Sequence, residues 1–154
     1  MLATAIEFFT LLLAALVVGT MFAVWLSFNP MGLSAAAYVV QQQRCIRSLN
    51  VVMPVLGAIT VLLTIASAIL SIDDWLRLSL LLSALACFAT AGLITRFANQ
   101  PINQIVMTWS ADAPPADWTR RRDDWWRWHM LRTIFGLGGL CLLIAAVLKP
   151  ASPD

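Results

Sequence analysis

The chain's single histidine, His129, stands in the run WTRRRDDWWRWHMLRT among arginines and tryptophans. Trp118, Arg122, Trp125 or Trp126, His129, Arg132 or Thr133, and Gly136 recur every three or four residues, which puts them on one stripe of an α-helix. A histidine that is neutral at physiological pH can act as a base. Arg122 or Arg132 beside it would stabilise the anion left when it takes a proton. The same residues also have a purely structural reading. Tryptophans collect at membrane–water boundaries, which suits Trp125 and Trp128 better than Trp118 and Trp126, and a lone histidine often only packs.

A second polar group precedes this stripe. Asn99 and Asn103 flank Pro101, which is expected to break or kink a helix and free backbone groups there. Their amides either satisfy that backbone or turn inward to bond a carbonyl-bearing ligand. One histidine rules out a bis-histidine haem and argues against a multi-histidine iron or copper site. Cys45, Cys87 and Cys141 lie far apart with no paired spacing, which argues against a disulfide framework or a zinc site. Oxidation chemistry here is therefore expected to use no tightly bound metal.

The elements that must position these groups are set by composition. Of 154 residues, 60% are hydrophobic and 12% charged, with a mean hydropathy of +0.82. Soluble domains rarely exceed about half apolar residues, so a bilayer is the natural solvent. The net charge of +2 is too small, and too dispersed, to suggest nucleic acid. Four runs can cross a hydrocarbon core of about 30 Å: 3–28, 51–72, 75–97 and 131–148. They are continuously apolar rather than alternating, so helices are expected and a barrel is not. The first run lacks a basic n-region and exceeds a cleavable signal core, so it reads as a retained membrane helix. The prediction is an all-α, single-domain bundle of four transmembrane helices over 1–154, with helical extensions on the second and fourth and a polar connection over 98–130.

Charge gives orientation. Arg44, Arg47, Arg96, Arg120, Arg121, Arg122, Arg127 and Arg132 fall on one side, and Arg77 and Lys149 on the other. The positive-inside rule then places connections 29–50 and 98–130 in the cytoplasm and both termini outside, in a plasma or inner membrane.

Smaller features refine the frame. Glu7 is the only acid inside a span and either snorkels to the interface or faces the bundle interior. Ala15 and Gly19 offer a small-residue face. Asn29-Pro30 ends the first helix. Ser34 is expected to cap a helix that runs through Gln41–Arg47 into the second span, with Pro54 as a kink, leaving the glutamines and arginines as a polar extension. Asp73-Asp74 makes the second and third spans antiparallel neighbours, and Trp75 and Arg77 anchor the third at the interface. Small residues in the third run (Ala84, Ala86, Ala89, Ala91, Gly92) and Gly136, Gly138 and Gly139 in the fourth leave room for a helix or a flat ligand. The chain closes with Lys149-Pro150 and a short tail.

Four spans with Asn-x-Pro-Ile-Asn, a later tryptophan, and Trp-x3-Arg-x3-Trp-x2-His-x2-Arg resemble the anthrone oxygenase-like family, small integral membrane proteins long grouped as a domain of unknown function. The matching residues are Asn99, Pro101, Ile102, Asn103, Trp109, Trp118, Arg122, Trp126, His129 and Arg132. The Gly19 region and Gln41–Arg47 also fit. The resemblance implies oxidation of an anthrone or a similar flat aromatic, polyketide-like or quinol-like compound. His129 would remove the proton of the acidic methylene, and Arg132, Asn99 and Asn103 would bind the enolate oxygen. Trp118 and Trp126 would stack on the rings. Dioxygen would be the co-substrate, with no metal or flavin. The competing expectation is a non-catalytic subunit that anchors, stabilises or delivers lipid or quinone to a larger membrane complex or homo-oligomer. A transporter is disfavoured by the lack of an internal repeat.

Overall fold

Inside hydrocarbon, only a helix or a closed barrel satisfies every backbone N–H and C=O, and the regular elements of the described residues are all helices. The computed structural model describes residues 1–149, so Pro150 and the tail lie outside the described residues. The helices are α1 (Leu2–Ser27), α2 (Ala35–Leu49), α3 (Val52–Ile69), α4 (Trp75–Ile94), a π-helical turn (Thr95–Asn99), α5 (Gln100–Val106) and α6 (Trp118–Leu148). Four stretches are long and apolar enough to cross a membrane: α1, α3, the continuous Trp75–Val106 and α6. The expected all-α bundle of four spans is the observed architecture, and only 22–28% of each span is buried within the chain. Many of the remaining side chains point outward, Phe8, Leu16, Ile69, Leu93 and Ile134 among them, as suits a bundle surrounded by lipid.

Around the bundle, α1 neighbours α3, α3 neighbours α4, α4 neighbours α6, and α6 returns to α1; the α4–α6 contact is the most extensive. At the end holding the α3–α4 turn, small and branched side chains fill the core: Ala14, Ala68, Leu81, Ala84, Leu143 and Ala146. Gly139 of α6 lets the Phe88 ring of α4 approach so closely that an added Cβ would lie 2.7 Å from it. Asp74 caps α4 by accepting from Arg77 N at 3.1 Å and takes Lys149 Nζ at 2.5 and 2.6 Å. Glu7 of α1 pairs with the Arg77 side chain. Glu7 thus has a charged partner on another helix. It ties α1 to the start of α4.

Three local expectations are corrected. α2 does not run on into α3, because the helix is interrupted at Asn50–Val51. Pro54 has no N–H for the Asn50 carbonyl, and its ring crowds that carbonyl, so the proline sits in the first turn of a new helix. Conversely, the third span does not end at 97, and its helix is not broken by Pro101. The π-helical turn widens just before it, with Gln100 N–H reaching Thr95 O five residues back, which absorbs the clash and lets the helix reach Val106. On α1 the packing face is Ala14, Val18 and Met21, whereas Ala15 and Gly19 point away; a Cβ at Gly19 would meet nothing within 4 Å.

Candidate functional site

At the other end the bundle is open. α2 lies across that end, and a cavity of about 490 Å³ extends beneath it between α1, α3, α4 and α6. Such a volume falls within the range of about 300–1,000 Å³ found for small-molecule sites. Its walls are mainly apolar, with Val17 and Val24 of α1, Met53 and Val61 of α3, and Phe88 of α4 among them. The small residues Ala89, Ala91 and Gly92 of α4 line it as well, while Ala84 packs in the core. The lining residues of α6 run from Trp125 to Gly136, about 16 Å along the helix at 1.5 Å per residue. The pocket therefore reaches well into the span rather than resting at the membrane surface.

His129, Arg132, Asn103 and Trp125 all border this cavity. His129 has no exposed surface and is held on every side. Its ring lies parallel to Trp125 (centroids 5.1 Å apart, 4°) and close to parallel with Trp126 (5.8 Å, 21°). Nε2 is 3.1 Å from the Met21 carbonyl. A carbonyl can only accept, so Nε2 carries the proton and Nδ1 presents a lone pair. Arg132 covers that lone pair with Nη2 at 3.0 Å and Nε at 3.3 Å, and its Nη1 donates to Thr95 Oγ1 at 3.0 Å. The imidazole is thus a neutral, oriented acceptor beneath a guanidinium. A guanidinium has five N–H donors, and three are engaged here. Two remain for a ligand.

The asparagines brace this cluster. Asn103 Oδ1 accepts from Trp125 Nε1 at 2.8 Å, and its Nδ2 donates to Asn50 Oδ1 at 2.9 Å. Both ends of that amide are committed to protein. Asn99, almost fully buried, donates through Nδ2 to the Trp125 carbonyl at 3.0 Å and does not line the cavity. Thr95, Asn99 and Asn103 lie four residues apart on one face, which the π-helical turn aims at α6. Such turns recur at functional sites.

The remaining sequence-selected residues lie elsewhere. Trp118 and Trp109 pack against the buried Tyr38 of α2 (5.9 and 6.4 Å). Arg122 lies 5.0 Å over the Trp118 ring and bonds Asp123 at 2.8 Å. Trp126 stands behind His129, outside the cavity lining. Trp125 belongs to the interior rather than to an interfacial belt, whereas Trp128 is 41% exposed. Burial pushes the Tyr38 phenol above its ordinary range against a smaller pull from Arg122. Its hydroxyl is buried without a partner.

Sequence reasoning overlooked Met21, Thr95, Asn50 and Gln42. The polar extension at 41–47 is in fact divided among three tasks. Gln43 donates to the Val106 and Trp109 carbonyls (3.0 and 2.9 Å), closing the end of α5. Arg44 lies outside the cavity, while Gln42, Cys45, Ile46 and Leu49 line it. Spacing of 3, 4 and 7 along α2 was the available signal for that inner face. Burial pushes the Cys45 thiol up, with Arg132 opposing, so Cys45 is a protonated wall residue. Among the described residues, no three His, Cys, Asp or Glu side chains gather in one place, and a metal centre would need other donors.

Residues 43–142, about two thirds of the chain, match the family model described as anthrone oxygenase. That stretch contains His129, Arg132, Asn99 and Asn103 and begins one residue after Gln42. No curated protein and no solved structure matches the chain.

Proposed function

We propose that this chain, which belongs to the anthrone oxygenase family, oxidises the acidic methylene of a flat, carbonyl-bearing aromatic compound with dioxygen. The observation that carries this reading is the His129–Arg132–Thr95 cluster, a neutral imidazole lone pair covered by a guanidinium, at the polar border of an apolar cavity.

The chemistry follows from those contacts. A substrate carbonyl takes up the two uncommitted N–H groups of Arg132. As negative charge grows on that oxygen, the guanidinium shifts towards it and releases His129 Nδ1. The freed lone pair accepts a methylene proton, while Nε2–H stays fixed on the Met21 carbonyl, so the ring keeps its orientation. The resulting enolate gives electrons to dioxygen, and a C–O bond forms at the former methylene carbon. Loss of the second C–H proton with cleavage of the O–O bond gives the ketone and water. The step balances as one methylene and one dioxygen giving one ketone and one water: one oxygen atom stays on the carbon, and the other leaves with both methylene hydrogens. In this reading His129 and Arg132 are catalytic. Trp125 forms the aromatic wall, and Asn103, Asn99 and Asn50 position it. Trp118, Trp109 and Arg122 stabilise the cover over the site through Tyr38.

The cavity end then faces the cytoplasm of a plasma or inner membrane. The arginines at the cavity end outnumber the two basic residues at the opposite end, Arg77 and Lys149, and that Lys/Arg bias is what sets orientation. The test is anthrone turnover by purified protein in nanodiscs, followed by quinone absorbance and oxygen uptake against a protein-free control. Acceleration by the wild type and its loss in His129→Ala are expected. Equal rates in the two proteins would defeat the proposal. Tight binding of a quinol without any oxidation would point instead to a carrier or accessory subunit.

A further inference from the structure

Gln42 is buried to 4% exposure on the cavity face of α2, and its Nε2 has no hydrogen-bond partner. Polar atoms in that situation are uncommon, because burial strips their water without replacing it. Five buried side-chain atoms among the described residues are unpartnered: Tyr38 Oη, Gln42 Nε2, Ser67 Oγ, Arg77 Nε and Asn99 Oδ1. Of these five residues only Gln42 lines the cavity.

Several other polar residues lining the same space are spoken for, and Arg96 and Gln100, which line it without a side-chain hydrogen bond, keep exposed surface instead of being buried. Thr20 and Thr60 donate to Leu16 O and Leu56 O of their own helices. Thr95 donates to Ala91 O and accepts from Arg132. Both ends of the Asn103 amide are taken. Gln42 differs from its neighbour Gln43 as well, since Gln43 spends its amide N–H groups on the end of α5. An amide so placed makes no structural bond, and a modest rotation of its side chain would turn the N–H groups from the wall into the cavity.

We propose that Gln42 Nε2 donates to a second oxygen of the bound ring system, which makes Gln42 a specificity-determining residue. This rests on the reading of the cavity as the site of an oxygen-bearing aromatic compound. Arg132 on α6 holds one oxygen and Gln42 on α2 holds another, so a flat ring is fixed at two points from two different helices. One anchor alone would leave the ring free to pivot in a mostly apolar chamber. Two anchors select both its orientation and its substitution pattern. The site accordingly prefers rings bearing an additional hydroxyl or carbonyl over the singly oxygenated ring. A site built to bond a substrate oxygen discriminates strongly against the analogue lacking it.

The experiment is anaerobic binding of anthrone and of 1,8-dihydroxyanthrone to the full chain in nanodiscs, read by quenching of tryptophan fluorescence. Exclusion of air keeps both probes unreacted. Wild type should bind the dihydroxy compound at least tenfold tighter than anthrone. In Gln42→Leu that preference should fall below threefold, with anthrone bound at least as tightly as by the wild type, which also reports that the cavity is intact. Gln42→Met, which keeps length without the donor, should behave alike and serves if the leucine variant does not fold. Equal affinities in the wild type, or a preference that survives both substitutions, would overturn the assignment to Gln42. Binding of neither probe by the wild type would overturn the substrate reading itself, and this assignment with it.

Discussion

Arg132→Lys separates charge from geometry at the polar border of the cavity. Lysine keeps the positive charge but offers three donors from one atom, and it cannot match the planar fork that now spans His129 Nδ1 and Thr95 Oγ1. An ammonium bonded to those two acceptors has no well-aimed N–H left for a ligand oxygen. Losing one charge-assisted hydrogen bond costs about 1.5–3 kcal/mol, which corresponds to roughly 10- to 150-fold weaker binding. The assay is anaerobic titration of anthrone in nanodiscs, with anthracene as the oxygen-free control. Anthrone should weaken by that factor while anthracene changes less than threefold. If anthrone binding is within threefold of wild type, Arg132 does not hold the oxygen. Equal losses for both rings would mean that the cavity had collapsed, and the hydrogen-bond argument would fail on that result too.

Other substitutions test the frame. Tyr38→Phe removes a buried hydroxyl without a partner, so thermal unfolding in detergent should be unchanged or shifted upwards, against the usual loss for a buried tyrosine. Gly139→Ala gains about 1 kcal/mol of helix propensity but drives a methyl to 2.7 Å from the Phe88 ring. Overpacking costs about 1–3 kcal/mol, so a lowered Tm is expected, and a smaller effect at Gly136→Ala, whose nearest neighbour is the flexible Met21 tip. Hydrogen bonding to Lys149 holds the Asp74 carboxyl below its ordinary range. Its stabilisation is therefore complete above the unfolded carboxylate pKa of about 3.9 and lost as pH falls through the lower folded value. Asp74→Asn, which keeps the cap, should lower Tm at neutral pH and flatten its decline below about pH 4.

The spans were legible because hydrocarbon forces continuous apolar helices, and the pattern survives any packing arrangement. The α6 stripe was legible too: Trp125, Trp126, His129, Thr133 and Gly136 are all buried. What a single-helix stripe does not encode is which neighbour each part meets. From Trp118 to His129 the helix rises about 16 Å, too far for both ends to serve one small site. Trp118, with Arg122 over its ring, accordingly meets Tyr38 on α2, while Trp125, His129 and Arg132 meet the cavity. The two prolines misled in opposite directions for one reason. Pro54 and Pro101 each lack an N–H, but α3 restarts at the first, whereas a widened turn carries the helix past the second. Gln42 was hidden because a run of glutamines and arginines looks uniformly solvated until α2 is laid across the bundle.

The most direct test of the account is a density map of the protein in nanodiscs with anthraquinone, an unreactive flat diketone, bound. The ring should lie in the cavity against Trp125, with one carbonyl oxygen about 3 Å from the Arg132 guanidinium. A ring bound on the lipid-facing surface, or one in the cavity with both oxygens remote from Arg132, would contradict it.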